Sequence, residues 1–456
     1  MKLRTSYVCQ QCAYESPTWY GKCPNCGEWN SLVETVKEEK RQASSVKRQG
    51  NTMQTPMKLS EVKHIEKQRL KSGYEEFDRV VGGGIVPGSV TLLAGDPGIG
   101  KSTLILHVLG KIGGLYVSGE ESAEQVKLRA KRLGINGENI NILAETNVEA
   151  IVESINTLRH SREGGNLPSK NRSPIRSGMT DDEGLVIIDS IQTLVSDEFE
   201  GIAGSIGQVR RCAEMLVTTA KSKGLPIIII GHVTKEGTIA GPKVLEHMVD
   251  TVLYLEGERF ANARILRTLK NRYGAIEEVG IFEMNDSGLK EVSNPSALFL
   301  QDRVKNVPGS VVSVIMEGTR PMLVEIQALV VPSQLAMPRR VANGIDYNRL
   351  QLLVAILQKR LNIPLGTFDV FVNVSGGLKI SEPAVDLAVC LALLSSFKNK
   401  AVDPKTAIFG EVGLLGEVRS IGSEERRSKE AKRLGFTIVI SPSTSRNLIQ
   451  VSKMLQ

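Results

Sequence analysis

With 456 residues, the chain is long enough for two or three domains, each with its own core. An apolar fraction of 41% and a charged fraction of 23% are those of an ordinary globular protein, not of a fibrous or low-complexity one. Lys and Arg number 57 against 50 Asp and Glu, a net charge of +7, which permits a polyanionic partner without requiring one.

The first residues, MKLRTSYVCQQC, hold no apolar core of signal-peptide length. No stretch reaches the roughly eighteen apolar residues of a membrane helix. The expected location is cytoplasmic, with no membrane partner. Four of the six cysteines fall in the first 26 residues as Cys9-x2-Cys12, ten residues, then Cys23-x2-Cys26. Two residues between thiolates let each pair grip one face of a tetrahedral zinc ion at about 2.3 Å per bond. Gly27 then gives the second knuckle an open backbone. Residues 1–35 therefore read as a compact zinc ribbon, and the zinc is structural because four thiolates leave no open position. The alternative is four reactive or disulfide-bonded cysteines. Both tryptophans, Trp19 and Trp29, lie here. Packing of the small core is their expected role, and exposure to a partner is the alternative.

Residues 36–56 have no apolar periodicity and read as a flexible linker. From Val36 to Lys71 there are ten Lys/Arg and four Asp/Glu.

Residues 57–290 read as a nucleotide domain. GSVTLLAGDPGIGKSTLILHVLG is an apolar strand, a glycine-rich loop and a helix, which predicts ATP held by Gly95, Asp96, Pro97, Gly98, Ile99, Gly100, Lys101, Ser102 and Thr103. The glycines let backbone N–H groups face phosphate oxygens, and the helix starting near Lys101 adds its positive end. Lys101 is expected on the β- and γ-phosphates and Ser102 on Mg²⁺. GLVIIDS predicts a buried parallel strand ending in Asp189, the expected second Mg²⁺ group. GLYVSGEES delivers Glu120 and Glu121 at a strand end, where a carboxylate polarises water. PIIIIGH ends in His232. Ligands sit beyond the carboxyl ends of parallel strands, so Glu120, Asp189 and His232 are expected to converge.

The stretches FDRVVGGGIVPGSVTLLAGDPGIGKSTL, YVSGEES, VIIDSIQT, GHVTKEGTIAGPKVLEHMVDTVLYLEG and LKNRYG resemble the bacterial RadA (Sms) family of DNA-repair proteins, nearly end to end. The resemblance implies a RecA-like, ring-forming, DNA-dependent ATPase. It implies branch migration of recombination intermediates in the manner of a hexameric helicase, beside a RecA-type recombinase. Carried over by motif, Glu120 is the general base, His232 senses the γ-phosphate, and Lys270 and Arg272 reach a neighbouring subunit's nucleotide. Tyr273 stands where the family usually has Phe. The loops after Asp189 and His232 are glycine-rich and polar. Lys235 and Lys243 suit phosphate contacts with single-stranded or branched DNA, with solvated lysines as the alternative. Residues 160–184 have no counterpart in the family pattern and read as a disordered insertion.

Residues 291–456 change pattern. DYNRLQLLVAILQKRL and EPAVDLAVCLALLSSF read as helices, DVFVNVSGGLKI as strand and turn, and TAIFGEVGLLGEVRSI as paired strands. The segment resembles the proteolytic domain of Lon. Ala384 stands at the serine position of the Ser-Lys dyad and Glu425 at the lysine position, so covalent peptide hydrolysis has no chemistry. Ser381 lies nearby, before Pro383. Arg339, Arg340 and Lys379 are candidate duplex-DNA contacts or solvated surface. The expected fold class is thus α/β: a zinc ribbon, a RecA-like P-loop core and a Lon-like α+β scaffold. An ATP-dependent protease and a nucleotide-switched assembly protein with little DNA contact are the competing readings.

Overall fold

The computed structural model describes residues 3–9, 15–25, 27–38, 68–163, 184–232, 242–257 and 263–455. Cys12, Cys26, Lys235, most of the linker and residues 164–183 lie outside them. The chain divides into two compact units. One holds residues 1–73, 83–97 and 105–253, and the other holds 74–82, 98–104 and 254–456.

The first unit begins with a ribbon in which β1 (Leu3–Cys9) pairs antiparallel with β2 (Glu15–Ser16) and β3 (Leu32–Glu38), placing Cys9 opposite Leu32. Next come β4 (Val90–Gly95), β5 (Gly114–Ser118), β6 (Ile140–Ala144), β7 (Leu185–Asp189) and β8 (Ile227–Ile230). They form a parallel sheet in the order β4-β8-β7-β5-β6. Every residue of β4, β7 and β8 is buried. That burial explains why they read as unbroken apolar runs instead of alternating ones. The edge strand β6 is mostly exposed and carries Asn141 between apolar neighbours. Asp250 pins the far side: its carboxylate accepts from Val90 N at 3.1 Å, and its own N–H donates to Val90 O at 2.9 Å.

Among the crossover helices, α3 (Ala123–Arg132) starts in a capping box, Ser122 accepting from Gln125 N while Gln125 accepts from Ser122 N. α4 (Val148–Glu163) runs three residues past His160, so the start of the expected insertion is the last turn of this helix. α5 (Ile206–Lys223) closes on Gly224 in the left-handed conformation. No helix among the described residues is long and apolar enough to cross a membrane.

The second unit holds α1 (Glu75–Val80) and an antiparallel meander of β10 (Ala263–Asn271), β11 (Val279–Asn285) and β12 (Gly288–Glu291), reached through β9 (Thr251–Glu256). Its larger part is a six-stranded sheet built on the hairpin β13 (Ser310–Glu317) and β14 (Arg320–Pro332). β15 (Arg340–Asn343) and β16 (Phe368–Val374) extend it on one side, and β17 (Thr406–Ile408) and β20 (Ile438–Ile440) on the other. A separate two-stranded piece, β18 (Glu411–Val412) with β19 (Val418–Arg419), accounts for the rest of the expected strand pair near residue 410. Helix α8 (Tyr347–Leu361) is amphipathic, whereas α9 (Asp386–Lys398) is buried from Asp386 to Ser395. A helix apolar all round belongs inside, and α9 lies in the core with Val324, Ile326, Leu353 and Leu357.

Glu76 fastens α1 to this unit. The buried carboxylate accepts from Arg320 Nη1 at 2.7 Å, Ile281 N at 3.0 Å and Arg79 Nη1 at 2.9 Å. Glu76→Ala takes the carboxylate from the mostly buried Arg320 guanidinium and leaves the buried Ile281 N–H unpaired. The expected cost is about 3–5 kcal/mol, read as a lowered chemical-denaturation midpoint at unchanged slope.

Candidate nucleotide-binding site

In the first unit β5, β7 and β8 end at one rim: Ser118 pairs with Asp189 and Ile188 with Ile229. Beyond β5 the Ser118 hydroxyl donates to Glu121 O at 2.7 Å and accepts from Glu121 N at 3.0 Å, closing a tight turn. Gly119 in that turn admits no side chain, since a Cβ there would lie 2.0 Å from Thr193 Oγ1. The close approach leaves Glu120 half exposed, pointed into the rim. Ser190 Oγ donates to Glu120 Oε1 at 2.7 Å, and His232 Nε2 lies 3.6 Å from the same oxygen. Glu120 and His232, expected to converge, are therefore brought together, with Ser190 between strand β7 and the carboxylate.

Asp189 is nearly buried and accepts a hydrogen bond from the Tyr116 hydroxyl. Burial first, and the Asp189 charge second, hold the Tyr116 phenol well above its ordinary range, so it stays a proton donor. Arg129 of α3 forms an ion pair with Glu121, and its Nη1 stands 3.9 Å from Asp189 Oδ2. That Nη1 is buried and makes no hydrogen bond among the described residues. Tyr116, Arg129 and Ser190 escaped the sequence reading. Tyr116 had a signal, a phenol in the buried middle of the strand GLYVS. Arg129 had none, because only the fold of α3 over the rim brings it there.

The phosphate loop is glycine-determined. Gly98 has φ +78°, and a Cβ there would meet nothing within 4 Å, so its face is open. Gly100 has φ +112°, and a Cβ would fall 2.7 Å from Met284 Cε. Ile99 is buried, and its carbonyl accepts from Arg264 Nε at 3.1 Å. The loop is thus clamped from behind by β10–β12 with Gly98 left clear, a cradle that fits a phosphate chain. Lys101 opens α2 (Lys101–Ile112) and is buried, with Ser102 and Thr103 half-buried on the same turn. Ser102 and Asp189 each carry an oxygen of the type that suits Mg²⁺.

Lys270 closes β10, and Arg272 is exposed in the turn leading to β11. The hairpin is not an edge: β12 pairs outside β11, and it is the hairpin tip that reaches solvent. Lys243 falls in the short helix Pro242–Leu245. Arg340, a candidate DNA contact, is engaged otherwise. Its guanidinium donates to Phe368 O at 2.6 Å, Leu365 O at 2.7 Å and Arg339 O at 2.9 Å. It holds the turn before β16.

In the ribbon, Cys9 and Cys23 are buried with Leu32 in one small core. Gly27, at φ +75°, donates to Cys23 O at 2.9 Å and closes the second knuckle. Two thiols in one core fit half of a four-thiolate zinc site. The tryptophans do not pack that core: Trp19 is 53% and Trp29 68% exposed. A core of two cysteines and a leucine has no interior for an indole, and Trp19 Nε1 reaches back only to Leu32 O at 3.1 Å. Cys9→Ala is expected to release about one zinc per chain while nucleotide binding survives, checked by metal analysis beside a fluorescent-nucleotide titration.

At the Lon-like position Ala384 is buried, in the turn Pro383–Val385 before α9, and Glu425 is exposed on the first turn of α10 (Glu424–Arg433). Arg427, half a turn on, is buried and paired with Glu382 at 2.6 Å.

Family models match three segments: the KaiC ATPase over residues 70–293, the rubredoxin metal-binding domain over 7–34, and the Lon protease (S16) C-terminal proteolytic domain over 360–456. The DNA repair protein RadA of Bacillus subtilis is 46% identical, across 97% of this chain and 93% of its own length. That of Listeria monocytogenes is 45% identical, across 100% of this chain and 95% of its own. Among solved structures, the RadB recombinase aligns at 22% identity and a TM-score of 0.36, over 49% of this chain and all of its own. By the matching family models and relatives this chain has a RecA-like ATPase core, a zinc-ribbon domain and a Lon-type domain, and it belongs to the RadA family.

Proposed function

We propose that the chain is a DNA-stimulated ATPase of recombination and repair. In this reading it forms a hexameric ring in the cytoplasm and drives branch migration by moving along single-stranded DNA beside a RecA-type recombinase. The observation that carries the reading is the shared contact at Glu120, whose Oε1 meets Ser190 and His232 at one rim. A carboxylate that aims water and a histidine that opens the next loop are thereby coupled.

Lys101 neutralises the β- and γ-phosphates, and backbone N–H groups from Gly95 to Thr103 hold the chain. Bound Mg²⁺, held by Ser102 and Asp189, would offset the charge that builds on the phosphates. Tyr116 and Arg129 keep the Asp189 carboxylate in place. Glu120 orients and deprotonates the attacking water, with Ser190 fixing its rotamer. When the γ-phosphate leaves, His232 loses a charged neighbour, and Lys235 and Lys243 are the candidate DNA contacts that the change would reach. The ribbon (1–35), linker (36–56), motor (57–290) and scaffold (291–456) then divide the work. The DNA-repair names of the relatives support this reading. Ala384 and Glu425 weigh against a protease.

ATP turnover should rise severalfold with single-stranded DNA, and labelled three-strand branches should migrate only with hydrolysable ATP. Casein in the same mixtures should stay intact. Turnover indifferent to DNA would favour the assembly-protein reading, and ATP-dependent casein cleavage the protease.

A further inference from the structure

The ribbon presents an aromatic face outside its small core. Trp19, Tyr20 and Trp29 are all exposed, while the buried apolar residues among the described part of the module are Cys9, Cys23 and Leu32. The two indoles border one point: a Cβ on Gly21 would lie 3.6 Å from Trp19 Cη2 and 3.9 Å from Trp29 Cζ3. Gly21 leaves that gap free of a side chain. The bond from Trp19 Nε1 to Leu32 O fixes one ring in orientation. Lys22 bridges to Trp29 across the turn, and its ammonium stands 5.6 Å from the ring centroid.

We infer that this face is a base-stacking platform for single-stranded nucleic acid. Protein interfaces also favour tryptophan and tyrosine, but their cores are depleted of lysine. Here an ammonium sits on the indole itself. The chain that follows carries ten Lys/Arg against four Asp/Glu from Val36 to Lys71, a charge of +6 by difference. Flat aromatic faces, a lysine among them and basic sequence beside them match a polyanion with exposed bases. Stacking reads no sequence, since every base has a π-face, which suits a protein that must follow a strand of any composition. The inference rests on the single-stranded DNA reading above and adds a second contact, outside the motor.

The chain's two tryptophans both lie in this face, so indole-selective fluorescence of the full-length protein reports on it alone. Oligo(dT) should quench that emission, saturating in parallel with the anisotropy of the labelled oligonucleotide. Trp29→Ala is expected to weaken oligo(dT) binding by roughly 5- to 100-fold, at unchanged zinc content, with Trp29→Phe recovering most of the loss. Trp19→Ala should act alike. Oligo(dT) that binds and stimulates ATPase with unchanged emission and unchanged affinity in both alanine variants overturns the inference and leaves the motor reading standing. No binding of oligo(dT) by the full chain overturns both. Quenching by a purified recombinase, with none by oligo(dT), assigns the face to a protein and equally overturns it.

Discussion

Arg272→Ala should lower DNA-stimulated ATP turnover by about 10³–10⁵-fold, equivalent to ~4–7 kcal/mol of transition-state stabilisation. Arg264, near the start of β10, donates to Ile99 in the phosphate loop. Lys270 is six residues further along the same extended strand, about 20 Å away, and Arg272 lies beyond it. We place Arg272 on a neighbouring protomer's nucleotide, as the resemblance to the RadA family implies; its distance along β10 from the loop contact at Ile99 accords with that placement, and a planar fork of N–H donors suits phosphate oxygens. The decisive measurement mixes two inactive variants, Lys101→Ala and Arg272→Ala. In mixed rings an intact loop lysine of one subunit faces an intact Arg272 of the next, and partial activity should return. Absence of recovery in rings shown to contain both variants would refute action across subunits.

The second large effect is at Glu120. Glu120→Gln keeps the hydrogen bond from Ser190 but removes the base, and turnover should fall about 10²–10⁴-fold with ATP affinity unchanged. ATP-dependent ring assembly and DNA binding should persist, giving a complex arrested with bound ATP. Ser190→Ala, which only frees the rotamer, should cost less, about 10–100-fold, the value of one hydrogen bond to a charged group. Single-turnover hydrolysis with a mant-nucleotide titration separates the two. A Glu120→Gln protein that still hydrolyses ATP at the normal rate would place the base elsewhere, with Glu121 next in line.

The placement of these strand ends at one rim was legible in the sequence because each group ends an apolar run: VIIDS, YVSGE and IIIIGH all break from buried strand to polar tip. Parallel topology then brings together what the chain separates by up to 112 residues, from Glu120 to His232. Arg129 was not legible, since its role depends on how a helix lies over a strand end, which no local period encodes. The tryptophans misled for a different reason. Aromatic residues are core formers in most domains, but a thiolate-built ribbon replaces a core by metal bonds and leaves its indoles outside. Arg340 shows the same limit: a basic pair looks like surface charge until the carbonyls at 365 and 368 are seen to need a donor.

Arg129 gives the motor an internal counter-ion. Between catalytic cycles, when nucleotide and its cation have left, Glu121 and Asp189 still face a guanidinium instead of bare solvent. Emptying the rim therefore creates no cluster of uncompensated carboxylates.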